Sequence, residues 1–233
     1  MRDADASLDD MGDGSVVAMN WFGQTGSAQT VSANRLADAL TVEIGKIEDV
    51  ELRHLAETVF TIPTILRPFL HLPASRQNHH AFPGGLAMHT LETVGLFEQL
   101  AQVGKPMAAV DTDIGRAACL LHDLGKALPI GNSADRFAHE RAGREFLAPM
   151  LSILAQRRPR HARLLEYLIV GHREERGSSR LLYTVRQADI LSACINNEAI
   201  ARAEGQRDGD FITLRTNGPE RRYIDPLDSR EAS

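Results

Sequence analysis

His89, His122, Asp123, His139, His172 and Asp189 interrupt otherwise apolar helical stripes, and together they form a set of metal-binding side chains. His89 shares a helical face with Leu86, Thr93, Leu96 and Leu100; His139 falls on the stripe Gly143, Phe146, Met150, Leu154; His172 continues Leu165, Leu168 and Ile169. Each imidazole is therefore expected to face the core. A single core histidine is ordinarily a hydrogen-bonded packing residue, but several imidazoles and carboxylates converging from separate helices are costly to desolvate without a cation. Neutral imidazole nitrogen and carboxylate oxygen suit Mn, Fe, Ni, Co or Zn, and the lack of a neighbouring thiolate argues for a catalytic rather than a structural site. The expected cofactor is one or two divalent transition-metal ions of unassigned identity. His122-Asp123 ends a helix just before Gly125, so both side chains can lean into one cavity, and Asp123 has two oxygens with which to bridge two ions.

Further candidates flank this set. Lys126, in HDLGK, is placed to meet a phosphate oxygen or a leaving group, although a solvated lysine at a helix C-terminus would look the same in sequence. Upstream, LPASRQNHHAFPGGLAMHT (72–90) packs His79, His80, Pro83, Gly84 and Gly85 in front of His89. Gly84 and Gly85 are expected to open a helix whose backbone N–H groups face an anion. His79 and His80 are expected to bind phosphate or protonate a leaving oxygen. The competing reading is a tight turn with surface histidines.

The elements that must position these residues read as helices. Patterning begins near Asn34 (NRLADALTVEIGKI) and resumes in VELRHLAETVF, which ends before Pro63. After the loop come LAMHTLETVGLFEQLAQVG, DIGRAACLLHDLG, RFAHERAGREFLAPMLSILAQ, RHARLLEYLIVGHRE and LLYTVRQADILSACINNEAIARA. Each has helical apolar spacing and a nearby Gly, Pro or Asn, and strand alternation is nearly absent, so the expected class is all-α. Residues 1–30 read as a mobile acidic leader, 31–75 as lead-in helices and 76–204 as the metal-binding core. Residues 205–233 read as a tail, either irregular or a small hairpin around Asn217-Gly218.

A chain of 233 residues suffices for one well-buried core. Two cysteines without Cys-rich spacing exclude a disulfide framework and suit a reducing cytoplasm. No stretch approaches the roughly 20 apolar residues of a membrane span, so no membrane partner is expected. The net charge of −5 is concentrated in residues 1–14, which hold five Asp and one Arg, whereas residues 157–180 carry seven Arg against three Glu. That local excess fits either a solvated helical face or contact with phosphate. Oligomeric state is not legible.

The order His, His-Asp, His, His, Asp, with gaps of 33, 16, 33 and 17 residues around LLHDLGK, resembles the HD superfamily of metal-dependent phosphohydrolases. The resemblance covers roughly residues 76–204 and implies a five-helix core, here preceded by additional N-terminal helices. It implies that His89, His122, Asp123 and Asp189 hold one metal, and that His139 and His172 bring a second, as in the binuclear branch. The implied activity is phosphoester hydrolysis by a metal-activated hydroxide, with Asp123, Lys126 and His80 at the reacting centre. The string LPASRQNHHAFPGGLAMHTLETV further resembles the HD-type domain of MOBH-class conjugative relaxases, over about residues 60–130. Its HH-x-x-x-GG-L-x-x-H pattern is also similar to HD-type 3′ to 5′ exoribonucleases. Both resemblances imply phosphodiesters of single-stranded DNA or RNA as substrate. The same ligand positions also fit hydrolysis of a small nucleotide, a di-iron oxygenase, or a noncatalytic binding module.

Overall fold

The computed structural model describes residues 31–76, 78–129, 138–172, 179–209, 211–215 and 220–224. The acidic leader and the Asn217-Gly218 pair lie outside the described residues. Among the described residues three helices come first: α1 (Ala33–Gly45), α2 (Val50–Thr61) and α3 (Pro63–His71). Five more carry the candidate ligands: α4 (Gly85–Ala101), α5 (Ala109–Leu121), α6 (Ala138–Arg157), α7 (Pro159–Gly171) and α8 (Arg180–Glu204). A 3₁₀ turn, Leu124–Ala127, follows α5, and three short strands follow α8. The class is all-α.

Local chemistry sets several of these boundaries. Asp49 caps α2, its Oδ1 accepting the N–H groups of Glu51 and Leu52 at 3.1 and 3.0 Å, and Ser179 Oγ caps α8 by accepting from Leu182 at 3.1 Å. Pro63 stops α2 and opens α3. Ile62 before it is extended (φ −77°, ψ 111°), as a residue preceding proline prefers, and Pro63 stands at the first helical position, where no N–H is needed. Sequence periodicity marks the end of α2 but not the nine-residue helix beyond it.

Helices α4 and α8 pack along each other, α5 lies against α4, α7 and α8, and α6 packs on α7 and on the 3₁₀ turn. The N-terminal helices share this core rather than forming a separate one: Leu36, Leu52 and Phe69 are buried with Phe97, Leu121 and Leu165 in one apolar cluster. Among the described residues no helix is long and apolar enough to cross a membrane.

The strands β1 (Gln206–Asp208), β2 (Phe211–Leu214) and β3 (Arg221–Ile224) form an antiparallel sheet in the order β1-β2-β3. Ile212 and Leu214 point inward and seat it against Ala201 near the end of α8. The sheet reaches back toward the loop before α4, where Arg221 Nη2 donates to Asn78 Oδ1 at 2.9 Å.

The 3₁₀ turn touches α6 with no side chain between them. A Cβ added at Gly125 would lie 1.7 Å from the carbonyl oxygen of His139, a backbone atom that cannot step aside. Gly125→Ala is therefore expected to destabilise the protein by about 1–3 kcal/mol, the usual range for overpacking. A urea midpoint equal to the wild-type value would show that this contact does not fix the turn.

Candidate metal centre

Helices α4, α5, α6, α7 and α8 each deliver one part of the site. His89 lies one turn into α4; His122 follows the last residue of α5, with Asp123 beside it; His139 opens α6; His172 follows α7; and Asp189 lies in the middle of α8. His89 Nε2 is 3.0 Å from Asp189 Oδ1, 3.4 Å from His122 Nε2 and 3.6 Å from Asp123 Oδ2. His122 Nε2 is 3.4 Å from Asp123 Oδ2 and 3.7 Å from Asp189 Oδ1. On the other side of Asp123, His139 Nε2 lies 3.6 Å from Oδ1. The ring of His172 stands 5.1 Å from that of His122. The other four residues singled out as metal-binding thus gather around Asp123 and its neighbour His122.

Backbone carbonyls at helix ends orient two of the rings. His122 Nδ1–H donates to Cys119 O at 2.7 Å and His172 Nδ1–H to Ile169 O at 2.6 Å, each three residues back, where a helix terminus leaves carbonyls without intrahelical partners. Both rings therefore turn Nε2 inward. The Nε2 of His172 is buried and has no hydrogen-bond partner among the described residues, a costly arrangement unless something outside the chain supplies one. Arg186 on α8 donates to the carbonyls of Gly171 and His172 at 2.8 and 3.1 Å, tying this end of α7 to the helix that carries Asp189.

The electrostatics suit a cation. Burial holds His172 down to about 4, and the neighbouring His122 pushes the same way. Burial also lowers His89, against the pull of Asp189. Burial opposes ionisation of both carboxylates, yet Lys126 and His122 hold Asp123 far below the usual range, and the hydrogen bond from His89 lowers Asp189. The result is a pair of carboxylates, Asp123 buried and Asp189 partly so, facing neutral imidazoles. His122 is the exception: burial disfavours its charge, but Asp123 and then Asp189 outweigh that and raise its pKa, so a proton and a metal ion compete for its Nε2. His89, His122 and Asp189 each bring one ligand atom within 4.8 Å of the other two, close enough to share one ion. Donor type, inward lone pairs and the unpartnered His172 nitrogen all fit a divalent transition metal.

Lys126 Nζ sits 2.5 Å from Asp123 Oδ2 and is partly exposed, placing its ammonium at the edge of the cluster. His79 lies beside the site with its ring 4.7 Å from that of His89, and burial followed by the charge of His89 lowers its pKa to about 3. His80 is different. It is fully buried, its Nε2 is 2.9 Å from Glu92 Oε2 and its Nδ1 is 3.3 Å from His79 Nδ1, so it presents no face to a leaving group. The expected anion-facing role of Gly84 and Gly85 also meets a different geometry. The N–H groups of Gly84, Gly85 and Leu86 donate to the carbonyls of His71, Phe82 and Leu72, leaving none of the three for a phosphate. The pair serves close approach instead. Gly84 has φ +81°, and a Cβ on Gly85 would lie 2.1 Å from the His80 carbonyl oxygen.

Sequence reasoning missed three buried polar residues here. Glu140, next to His139, places Oε1 2.9 Å from its Nε2. Glu92 and Ser192 stand three residues after His89 and Asp189 on the facing helices α4 and α8, and Ser192 Oγ donates to Glu92 Oε2 at 2.9 Å. The i, i+3 repeat of polar residues on an inward face was the available signal.

Comparison with known proteins agrees with this geometry. Residues 86–194 match the HD domain, a stretch that encloses all six candidate ligands. The chain is similar to the 3′-5′ exoribonuclease YhaM of Shouchella clausii, 26% identical over 181 residues, covering 72% of this chain and 54% of that protein. The YhaM proteins of Bacillus subtilis (29% over 96 residues; 41% of this chain, 29% of that one) and Halalkalibacterium halodurans (37% over 67 residues; 29% and 20%) are similar over shorter stretches. The chain therefore spans about half or less of the length of these curated relatives. No solved structure matches.

The buried neutral His172 should appear in the acid stability of the metal-free protein. An unfolded histidine takes up its proton near pH 6.5 and the folded one only near 4, so falling pH favours the unfolded chain across that window and adds nothing further below it. With chelator present, His172→Gln should flatten the loss of stability between pH 6.5 and 4 by at most about 3 kcal/mol. Urea midpoints against pH measure this, and identical slopes for variant and wild type would contradict a buried neutral imidazole.

Proposed function

We propose that this chain is an HD-type metal-dependent phosphohydrolase that cleaves phosphodiester bonds of single-stranded nucleic acid. The observation that carries the reading is the convergence on Asp123 of inward imidazole nitrogens and a second carboxylate, with the buried His172 Nε2 open to a ligand. The HD match and the relatives named as exoribonucleases support phosphodiesters as the bond and a polymer as the substrate. His89, His122, Asp123 and Asp189 would hold one divalent ion; His139 and His172, sharing Asp123, would hold a second. Bound there, such ions act as Lewis acids toward phosphate oxygens and lower the pKa of water toward neutrality.

The side chains around that centre divide the remaining work. Asp123 keeps its charge in a fully desolvated position, and Lys126, at its edge, offers an ammonium to a phosphate oxygen or the leaving group. His79, neutral at physiological pH and beside His89, binds the substrate phosphate through hydrogen bonding. Within this reading, RNA follows the named relatives, and DNA follows the loop's similarity to relaxases, with a place in conjugative transfer. The chain's two free cysteines suit work in the cytoplasm.

The test is product analysis of the full chain, loaded with Mn(II), on end-labelled single-stranded RNA, single-stranded DNA and free nucleotides. Oligonucleotide cleavage that EDTA abolishes is expected, and its preference for RNA or DNA decides between the two polymers. Asp123→Asn should lower kcat/KM about a hundredfold or more, because metal polarisation contributes several kcal/mol and 1.36 kcal/mol is tenfold. Intact oligonucleotides alongside hydrolysed nucleotides would reject the polymer substrate, and activity unchanged in Asp123→Asn would reject the site.

A further inference from the structure

A hydrogen-bonded line of buried side chains runs behind His89, on the side away from its cluster-facing nitrogen. His89 Nδ1 is 2.9 Å from Ser192 Oγ, Ser192 Oγ is 2.9 Å from Glu92 Oε2, and His80 Nε2 reaches that same carboxylate oxygen at 2.9 Å. His89, Ser192 and His80 have no exposed surface, and Glu92 is nearly buried. The chemistry of the groups gives the line a direction. A carboxylate accepts, so the single hydroxyl proton of Ser192 is committed to Glu92 and Ser192 Oγ can only accept from His89. With a cation on Nε2, in the place of the proton that the metal-free ring shares with Asp189, the proton of His89 is on Nδ1 and its lone pair faces Asp189, His122 and Asp123. For His122 and His172 a backbone carbonyl does this job. For His89, one turn inside α4, a side chain on the facing helix does it instead.

The same carboxylate holds the loop. His80 has φ +48°, a left-handed conformation unusual for a residue with a Cβ, so surrounding contacts must hold it there. Its side chain is fixed by Glu92, its N–H donates to Asn196 Oδ1 at 2.6 Å and its carbonyl accepts from Ala74 N at 3.1 Å. Asp189, Ser192 and Asn196 follow one another at helical spacing along α8, and His89 and Glu92 do so along α4. One oxygen of Glu92 therefore joins the first metal-binding histidine to the loop that carries His79.

We propose that Glu92 and Ser192 are positioning residues: they set the tautomer and direction of His89 for a divalent cation, and Glu92 holds His80 so that His79 stands beside the site. This rests on His89 being a cation ligand, and not on phosphodiesters being the substrate. The full chain, Ser192→Ala, Glu92→Gln and Ser192→Thr are each titrated with Co(II), following the visible ligand-field spectrum. Ser192→Ala and Glu92→Gln should bind Co(II) about 10- to 100-fold more weakly and with an altered spectrum, the size expected when a partner behind a metal-bound histidine is removed. Ser192→Thr, which keeps the hydroxyl, should stay within about threefold of wild type. Wild-type affinity and an unchanged spectrum in both disrupted variants would overturn the assignment.

A second measurement does not depend on how the variants fold. In the wild type loaded with Zn(II), long-range ¹H–¹⁵N spectra of the imidazoles should place the His89 proton on Nδ1, and a proton on Nε2 alone would overturn the assignment. Wild-type protein that binds no Co(II) sinks this inference together with the cation site. Protein that binds Co(II) as described yet hydrolyses no phosphoester leaves it standing and sinks the proposed activity.

Discussion

Asp123 is a carboxylate with no access to water, and much of the structure around it can be understood as compensation for that. Burial alone would protonate it; the ammonium of Lys126 and the ring of His122 keep it charged instead. Once it is charged, the surrounding groups are constrained. Buried imidazoles near it must be orientated so that lone pairs and protons fall where they lower the energy, and each needs a partner for the nitrogen it turns away. His122 and His172 find theirs in helix-end carbonyls, whereas His89 finds Ser192. The cluster is oriented mainly by what stands behind its side chains.

That requirement also explains where the candidate ligands sit. His122 and His172 directly follow the ends of α5 and α7, where unpaired carbonyls are available, and Gly125 lets the next turn lie directly on the backbone of α6 so that His139 comes to the far oxygen of Asp123. The loop before α4 is held by equally close contacts. The amides of Gly84, Gly85 and Leu86 bond to backbone carbonyls, which makes the glycine pair a packing device rather than an anion cradle. The N-terminal helices α1–α3 close the same core and thereby support this loop from beneath.

The candidate ligands stand out in the sequence because they interrupt apolar stripes. His89, His139 and His172 occur at helical spacing with leucines and other apolar residues, and spacing is what a sequence displays most directly. The helices carrying them were legible for the same reason. Hydrogen-bond direction was not. Histidine in an inward position says nothing about which nitrogen bears the proton, and His80 looked like a candidate acid until its two nitrogens were seen to be engaged by Glu92 and His79. Glu92, Glu140 and Ser192 were passed over because an isolated polar residue on a helix ordinarily faces water, and only the approach of α4 to α8 and of His139 to Glu140 reveals that these do not. Helix α3 is hidden because Pro63 marks the end of one helix in the sequence without showing that it also opens the next.

If these donors form a seat for a divalent cation, crystals of the full chain grown with Mn(II) or Co(II) and measured at the metal's absorption edge will show an anomalous peak among His89, His122, Asp123 and Asp189, with any second peak on the side of Asp123 that faces His139 and His172. Anomalous density only elsewhere on the molecule, with the cluster side chains still bonded to one another, would contradict it.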